Sequence, residues 1–217
     1  AAVPIFGRHA ELVRTQATPV RPLPAALGDV EAASLAVTGL TADHALFTVG
    51  RVRAGERVAI TAAAGGVGTV AVQLAARAGA RVLAVASTAT KRELAASLGA
   101  QETCSYEAYA AAVRSGVDVV LDSVGGRLFR PGWRALRGDG RYVLFGFAAA
   151  VSARRVRWLR ALYELLRMGV VVPSLTVSPC RTLADVNLSV VPQLAAELQQ
   201  RFACLEAMVT AGDLKPV

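Results

Sequence analysis

Between Val58 and Ser87 the chain reads VAITAAAGGVGTVAVQLAARAGARVLAVAS. Within this stretch Gly66-Val67-Gly68-Thr69-Val70-Ala71 forms a GxGxxA pattern at the junction of two periodicities. Before it, Arg57 to Thr61 is a short apolar run that predicts a strand. After it, Val67, Val70, Ala71, Leu74, Ala75 and Ala78 recur at helical spacing, and Gly79 stands where a left-handed residue would close the helix. Arg81 to Ala86 then predicts a second strand. A strand, a glycine turn, a helix and a strand in this order demand a parallel crossover, which narrows the possible folds more than any other feature.

The glycines have specific physical uses in such a unit. Gly66 suits a tight turn, Gly68 lets a pyrophosphate approach the backbone, and Ala71 lets the helix pack close to the sheet. The helix N-terminus offers unpaired N–H groups and about half a positive charge to an anion. Small-residue helix packing is the competing reading, but the surrounding pattern favours a dinucleotide site. No GK[ST] follows, which excludes a mononucleotide P-loop.

The same punctuation continues. Lys91 to Leu98 reads as a helix closed by Gly99, Glu102 to Cys104 as a short strand, and Ala108 to Arg114 as a helix before Gly116. VDVVLD, 117 to 122, is a buried strand, Leu128 to Leu136 a helix, and GRYVLFG, 140 to 146, another strand. The expected fold is α/β, an open, doubly wound parallel sheet covered on both faces. Upstream, Asp29 to Val49 is helical and interrupted at Thr38 and Gly39, so two short helices are expected. Downstream, residues 154 to 168 predict an amphipathic helix, 170 to 177 a strand despite Pro173, and 190 to 211 a long helix. Residues 1 to 24 read as an extended piece and Pro-rich link that belongs against something else.

The chain carries a net charge of +8, with 24 basic and 16 acidic residues. Only Lys91 and Lys215 are lysines. The arginines are scattered, and even the densest run, ARRVRWLR at 153 to 160, reads as a solvated helix face or a domain interface rather than a nucleic-acid or membrane surface. No apolar stretch is long enough to cross a bilayer. Cys104, Cys180 and Cys204 form neither a disulfide framework nor a metal pair; all three read as small buried hydrophobes in a reduced, cytoplasmic protein. His9 and His44 do not complete a zinc set, so no metal is expected. His44 reads as a helix surface or interface residue rather than an acid. Asp122, at the end of its strand, is either a turn cap or a neighbour of the ligand.

At the end of the second strand an NAD enzyme places an acid on the ribose hydroxyls. Here Ser87, Thr88 and Thr90 precede Lys91 and Arg92, with no acid before Glu93. A 2′-phosphate is welcome in that setting, so NADP(H) is favoured over NAD(H). Hydride transfer asks a protein for placement and exclusion of water more than for an acid or base. The lack of an assignable catalytic residue therefore suits a reductase and weighs against a hydrolase.

The glycine motif, VTGLTADHAL at 37 to 46 and GVDVVLDSVGG at 116 to 126 together resemble the zinc-independent medium-chain dehydrogenase/reductases, quinone oxidoreductase branch, over essentially the whole chain. The later segments, including VVPSLTVSP and ADVNLSV, resemble the subgroup containing synaptic vesicle membrane protein homologues. The resemblance implies a Rossmann domain over 25–217, cut at its C-terminus, and a remnant of a GroES-like catalytic domain in 1–24. It implies that Gly65, Gly66, Val67 and Gly68 cradle the pyrophosphate. It places Ser87, Lys91 and Tyr106 by the 2′-phosphate, and Thr41, Phe145, Gly146 and Phe147 by the nicotinamide. Where the family often has an aromatic, this chain has Asp43. The activity implied is NADPH-dependent reduction of quinones or α,β-unsaturated substrates, with a homodimer expected at full length. An enoyl reductase domain of a polyketide or fatty acid synthase shares the motif set, and a cofactor-binding protein without turnover stands as a further alternative.

Overall fold

A computed structural model describes residues 28–146, 151–152, 155–156, 163, 168, 180–186 and 195–217. Its sheet strands are β1 (Arg57–Thr61), β2 (Arg81–Val85), β3 (Glu102–Cys104), β4 (Val117–Asp122), β5 (Leu136–Leu144) and β8 (Thr182–Asp185). Two-residue strands β6 (Val151–Ser152) and β7 (Arg155–Val156) pair antiparallel with each other. The helices are α1 (Asp29–Asp43), α2 (Gly66–Arg77), α3 (Ala89–Ser97), α4 (Tyr109–Ala112), α5 (Phe129–Ala135) and α6 (Ala195–Thr210).

The sheet order is β3-β2-β1-β4-β5-β8, all neighbours parallel. Counted within this sheet alone, that is 3-2-1-4-5-6, the order of a doubly wound dinucleotide-binding domain. The chain leaves β1 in one direction and returns at β4 to build the other half. The carboxyl ends of β1 and β4 therefore flank a crevice.

Strand alternation divides the core between two layers. Val58 and Ile60 of β1, Val82 and Ala84 of β2, and Val119 and Leu121 of β4 bury with residues of α1, α2 and α6. Ala59, Leu83, Val85 and Val120 point the other way, into a cluster with Tyr109, Phe129 and Tyr142. Successive side chains alternate faces, so only a strand apolar at every position can be covered on both sides. That is why β1 and β4 are apolar at consecutive positions, Val58 to Ile60 and Val119 to Leu121.

Helix α1 continues through Thr38 and Gly39, contrary to the expected break, and passes directly into a π-helical turn, His44–Val49. Thr38 donates its hydroxyl to the Ser34 carbonyl, and Thr41 donates to the Val37 carbonyl at 2.7 Å, so both satisfy their hydroxyls inside the helix. At Gly39 a Cβ would lie 3.1 Å from Leu35 Cδ1 and 3.2 Å from Leu205 Cδ1. This glycine allows α1 and α6 to approach; it does not break the helix.

Gly79, at φ +77°, closes α2 as expected. Strand β5 begins at Leu136, ahead of its expected start at 140, and within the described residues the expected helix 190–211 is α6, Ala195–Thr210. The expected helix 154–168, the expected strand 170–177 and the 1–24 segment fall on or across residues outside the described set. On the side away from β4, β5 pairs with Thr182–Asp185. Of the cysteines expected to be buried, Cys104 is, whereas Cys180 and Cys204 are exposed. Among the described residues no helix is long and apolar enough to cross a membrane.

Part of the basic charge is bound within the fold. Arg57, buried at the foot of β1, forms a two-pronged pair with Glu102 and also donates to Ser115 Oγ and the carbonyls of Ala112 and Gly116. Arg77, Arg137 and Arg201 pair with Asp213, Asp118 and Asp43.

The tightest approach lies at Gly68, where a Cβ would stand 2.3 Å from the Ala62 carbonyl oxygen and 2.8 Å from Ala63 Cα. Gly68→Ala must push the turn off the helix, and backbone cannot yield as a side-chain tip does. A loss of about 1–3 kcal/mol is expected in chemical denaturation, the range for overpacked sites.

Candidate functional site

The site begins where β1 ends. Ala62 takes a left-handed φ of 48° and accepts a hydrogen bond from the Gly65 N–H at 2.8 Å. The sharp turn expected at Gly66 is thus made at Ala62. The Ala63 N–H donates to the Val85 carbonyl at 3.1 Å, tying the turn to β2. Helix α2 starts at Gly66 from an extended Gly65, with no side-chain cap. The first-turn N–H groups of Gly66, Val67 and Gly68 have no intrahelical carbonyl to bind. Gly65 and Gly66 are exposed. Gly68 is buried and is required by the close approach to Ala62 and Ala63, a use that precedes any contact with a ligand.

The carboxyl end of β4 is held by Asp122, whose carboxylate is fully buried. Thr61 Oγ1 donates to Oδ1 at 2.7 Å and the Tyr142 hydroxyl donates to Oδ2 at 2.6 Å. The Val124 and Gly125 N–H groups add bonds of 2.9 and 3.1 Å. Thr61 Oγ1 also accepts from the Ser123 N–H at 3.1 Å. Of the two readings of Asp122, the structure selects the turn cap, and it joins the ends of β1, β4 and β5 in one network. Burial and the Asp122 charge hold the Tyr142 hydroxyl well above the ordinary phenol range, so it stays a donor.

At the end of β2, Ser87 and Lys91 are exposed, and Thr88 caps α3 by accepting the Lys91 N–H at 3.3 Å. Arg92 folds back onto the strand end, donating to the Ala86 and Ser87 carbonyls, each at 3.3 Å. Sequence spacing could not reveal this tether, which places a guanidinium beside Ser87. Tyr106, after β3, is half-buried and its hydroxyl is raised by burial, with Asp122 and the Ala62 backbone as neighbours. The structure thus sets Tyr106 against the β1–α2 turn.

At the end of β5 the Phe145 N–H donates to the Asp122 carbonyl at 3.0 Å. A Cβ on Gly146 would lie 3.2 Å from the Ser123 carbonyl oxygen, so both residues border the end of β4. Phe147 lies outside the described residues. Thr41 is on α1, the helix whose Thr38 methyl meets the first turn of α2: a Cβ on Gly66 would be 3.0 Å from Thr38 Cγ2. Gly65 to Gly68, Tyr106, Phe145 and Gly146 thus gather around the ends of β1 and β4. Ser87 and Lys91 stand at the end of β2, and Thr41 belongs to the helix alongside. Sequence reading left out Thr61 and Tyr142; their only trace was a hydroxyl on the last residue of β1 and a tyrosine inside an apolar strand.

His44, expected on a helix surface or at an interface, is buried at 7% exposure, and its Nδ1 has no hydrogen-bond partner among the described residues. Burial, then Arg201, lowers its pKa. Asp43 pairs with Arg201 at 2.7 Å, and Arg201 reaches Glu197 at 2.9 Å, so the residue standing where an aromatic was expected serves to bind α6 to α1. No cluster of three or more His, Cys, Asp or Glu among the described residues could hold a metal ion.

Comparison with known proteins agrees with this geometry. A family model described as zinc-binding dehydrogenase matches residues 66–178. The highly-reducing polyketide synthase 1 of Aureobasidium melanogenum is 31% identical over 222 residues, covering 97% of this chain and 9% of the synthase. Among solved structures, the CurK enoyl reductase superposes with a TM-score of 0.73 at 29% identity, over 94% of this chain and 58% of that one. The quinone oxidoreductase of Thermus thermophilus, solved alone and with NADPH, gives a TM-score of 0.72 at 30% identity, over 92% and 60%. The chain therefore spans under two thirds of these reductases and a small part of the synthase.

Two outcomes follow from the site. Tyr142→Phe removes one donor from the buried carboxylate and is expected to cost about 1.5–3 kcal/mol, the range for bonds to charged groups, read as a lower urea midpoint at unchanged slope. The lowered pKa of His44 means that the unfolded chain takes up a proton near its ordinary value of about 6.5 while the folded chain does not. Its contribution to stability is complete at pH 7.5 and declines as pH falls through about 6.5 toward the folded value. His44→Gln should flatten that part of the stability profile between pH 7.5 and 5.

Proposed function

Because the chain belongs to the zinc-binding dehydrogenase family, in the quinone-oxidoreductase-like branch of the medium-chain dehydrogenase/reductases, we propose that it forms the cofactor-binding part of an NADPH-dependent reductase of quinones or activated double bonds. The observation that carries this reading is the uncapped first turn of α2, set at the switch point between β1 and β4, with Lys91 and Arg92 at the neighbouring strand end. The site suits a dinucleotide phosphate. It offers free backbone donors for a pyrophosphate, exposed Gly65 and Gly66 for close approach, and no acid at the end of β2 to repel a 2′-phosphate.

In this reading the N–H groups of Gly66, Val67 and Gly68, with Gly65 beside them, hold the pyrophosphate. Ser87 and Lys91 hold the 2′-phosphate, with Arg92 adding charge behind them, and Tyr106 packs at the same end. Thr41, Phe145, Gly146 and Phe147 border the nicotinamide and keep water from it. When bound, NADPH supplies the hydride. The residues of this chain position the donor, and the Asp122 network keeps the strand ends in register while they do so. No acid or base of this chain is assigned to the reaction.

A second reading, an enoyl reductase domain acting on acyl chains within a synthase, is favoured by the 31% identity to a highly-reducing polyketide synthase across 97% of the chain. Purified protein titrated with NADPH and with NADH, followed by nicotinamide fluorescence, tests the cofactor. Lys91→Ala with Arg92→Ala should weaken NADPH about 10–100-fold, the effect of losing one charge-assisted bond or more, and leave NADH nearly unchanged. The full-length gene product, assayed for NADPH oxidation with small quinones and with enoyl thioesters, separates the two substrates. Tight NADPH binding with no acceptor reduced from either panel would overturn both enzyme readings in favour of a binding protein.

A further inference from the structure

The opposite end of the sheet carries a second concave feature. A cavity of about 250 Å³ is lined by Arg51, Arg53, Asp139, Arg141, Cys180 and Thr182. Arg51 and Arg53 precede β1, and Thr182 opens β8, so the cavity faces away from the glycine turn, which follows the last residue of β1.

Its rim is built at conformational cost. Four described residues other than glycine have a left-handed φ, and three of them line this cavity: Arg51 at 46°, Asp139 at 60° and Cys180 at 52°. Side chains disfavour that conformation, and such residues concentrate where a site is shaped for use. Arg141 holds the rim in place. It donates to the carbonyls of Gly50 at 2.8 Å, Arg51 at 3.1 Å and Asp139 at 3.3 Å, and grips Glu56 with bonds of 2.9 and 2.7 Å. Its five N–H groups and its charge are thereby used.

Arg51 and Arg53 are different. Both are exposed, and neither side chain has an ion pair among the described residues. Arg51 and Arg53, neither of them ion-paired, line one small cavity, and among its described lining residues Asp139 supplies one carboxylate. A guanidinium binds planar or tetrahedral oxyanions through paired N–H bonds. Among the described residues no aromatic side chain lines the cavity to stack a base, and its size suits a small ion rather than a chain.

We propose that this cavity is a second anion site, separate from the cofactor crevice, which takes a small multivalent oxyanion of phosphate or carboxylate type through Arg51 and Arg53. The assignment is independent of the reductase reading. Isothermal titration of the protein in chloride buffer with inorganic phosphate, pyrophosphate and citrate tests it, with and without saturating NADPH. At least one of these should bind, NADPH should leave that binding unchanged, and Arg51→Ala with Arg53→Ala should weaken it at least tenfold without moving the thermal midpoint of the free protein. Binding by the phosphates alone marks a phosphoryl ligand; binding by citrate as well marks carboxylates. No binding by any of the three, displacement by NADPH, or full binding in the double variant would overturn the proposal.

Discussion

Asp122 is the point on which the arrangement of this domain turns. A carboxylate removed wholly from water is tolerable only when its oxygens are occupied, and here two hydroxyls and two backbone N–H groups occupy them. The donors come from the last residue of β1, from β5 and from the loop after β4. One buried charge therefore fixes three adjacent strand ends relative to one another. The β1–α2 turn starts immediately after Thr61, so the geometry of the proposed phosphate cradle is inherited from this network.

Close packing supplies the rest of the site's shape. Helix α2 lies so near the turn that Gly68 has no room for a Cβ, and its inward face is built from Val70, Ala71, Leu74 and Ala75. The alanine-heavy composition, which carried little information by itself, is the means by which helices settle close to the sheet. Its consequence is an exposed helix start without a capping side chain.

The two ends of the sheet are treated in opposite ways. At the carboxyl end backbone donors are left open. At the amino end Arg57 and Arg141 each spend a whole guanidinium on carbonyls and a carboxylate, closing strand starts and loops together. A net charge of +8 is therefore a poor guide to partners, since many arginines are structural. Among the exposed arginines without an ion pair in the described residues, Arg51 and Arg53 lie close together at the amino end.

The sequence by itself determined the α/β class, the bounds of β1, β3 and β4, the helix that follows the glycines, and the basic character of the β2 end. These features are local: strand alternation, helical spacing and terminating glycines are written within a few residues. Its errors have a common cause. Gly39 looked like a helix break because nothing local shows that Leu205, far along the chain, packs upon it. His44 could be read as a surface or an interface residue because the cover over it comes from elsewhere in the fold, with Arg201 of α6 among its neighbours. Only the tertiary structure decided that Ala62 makes the turn, that Arg92 folds back onto β2, and that Thr61, Asp122 and Tyr142 meet. Those contacts join residues from separate strands, and long-range contacts of that kind leave no periodicity for a sequence to display.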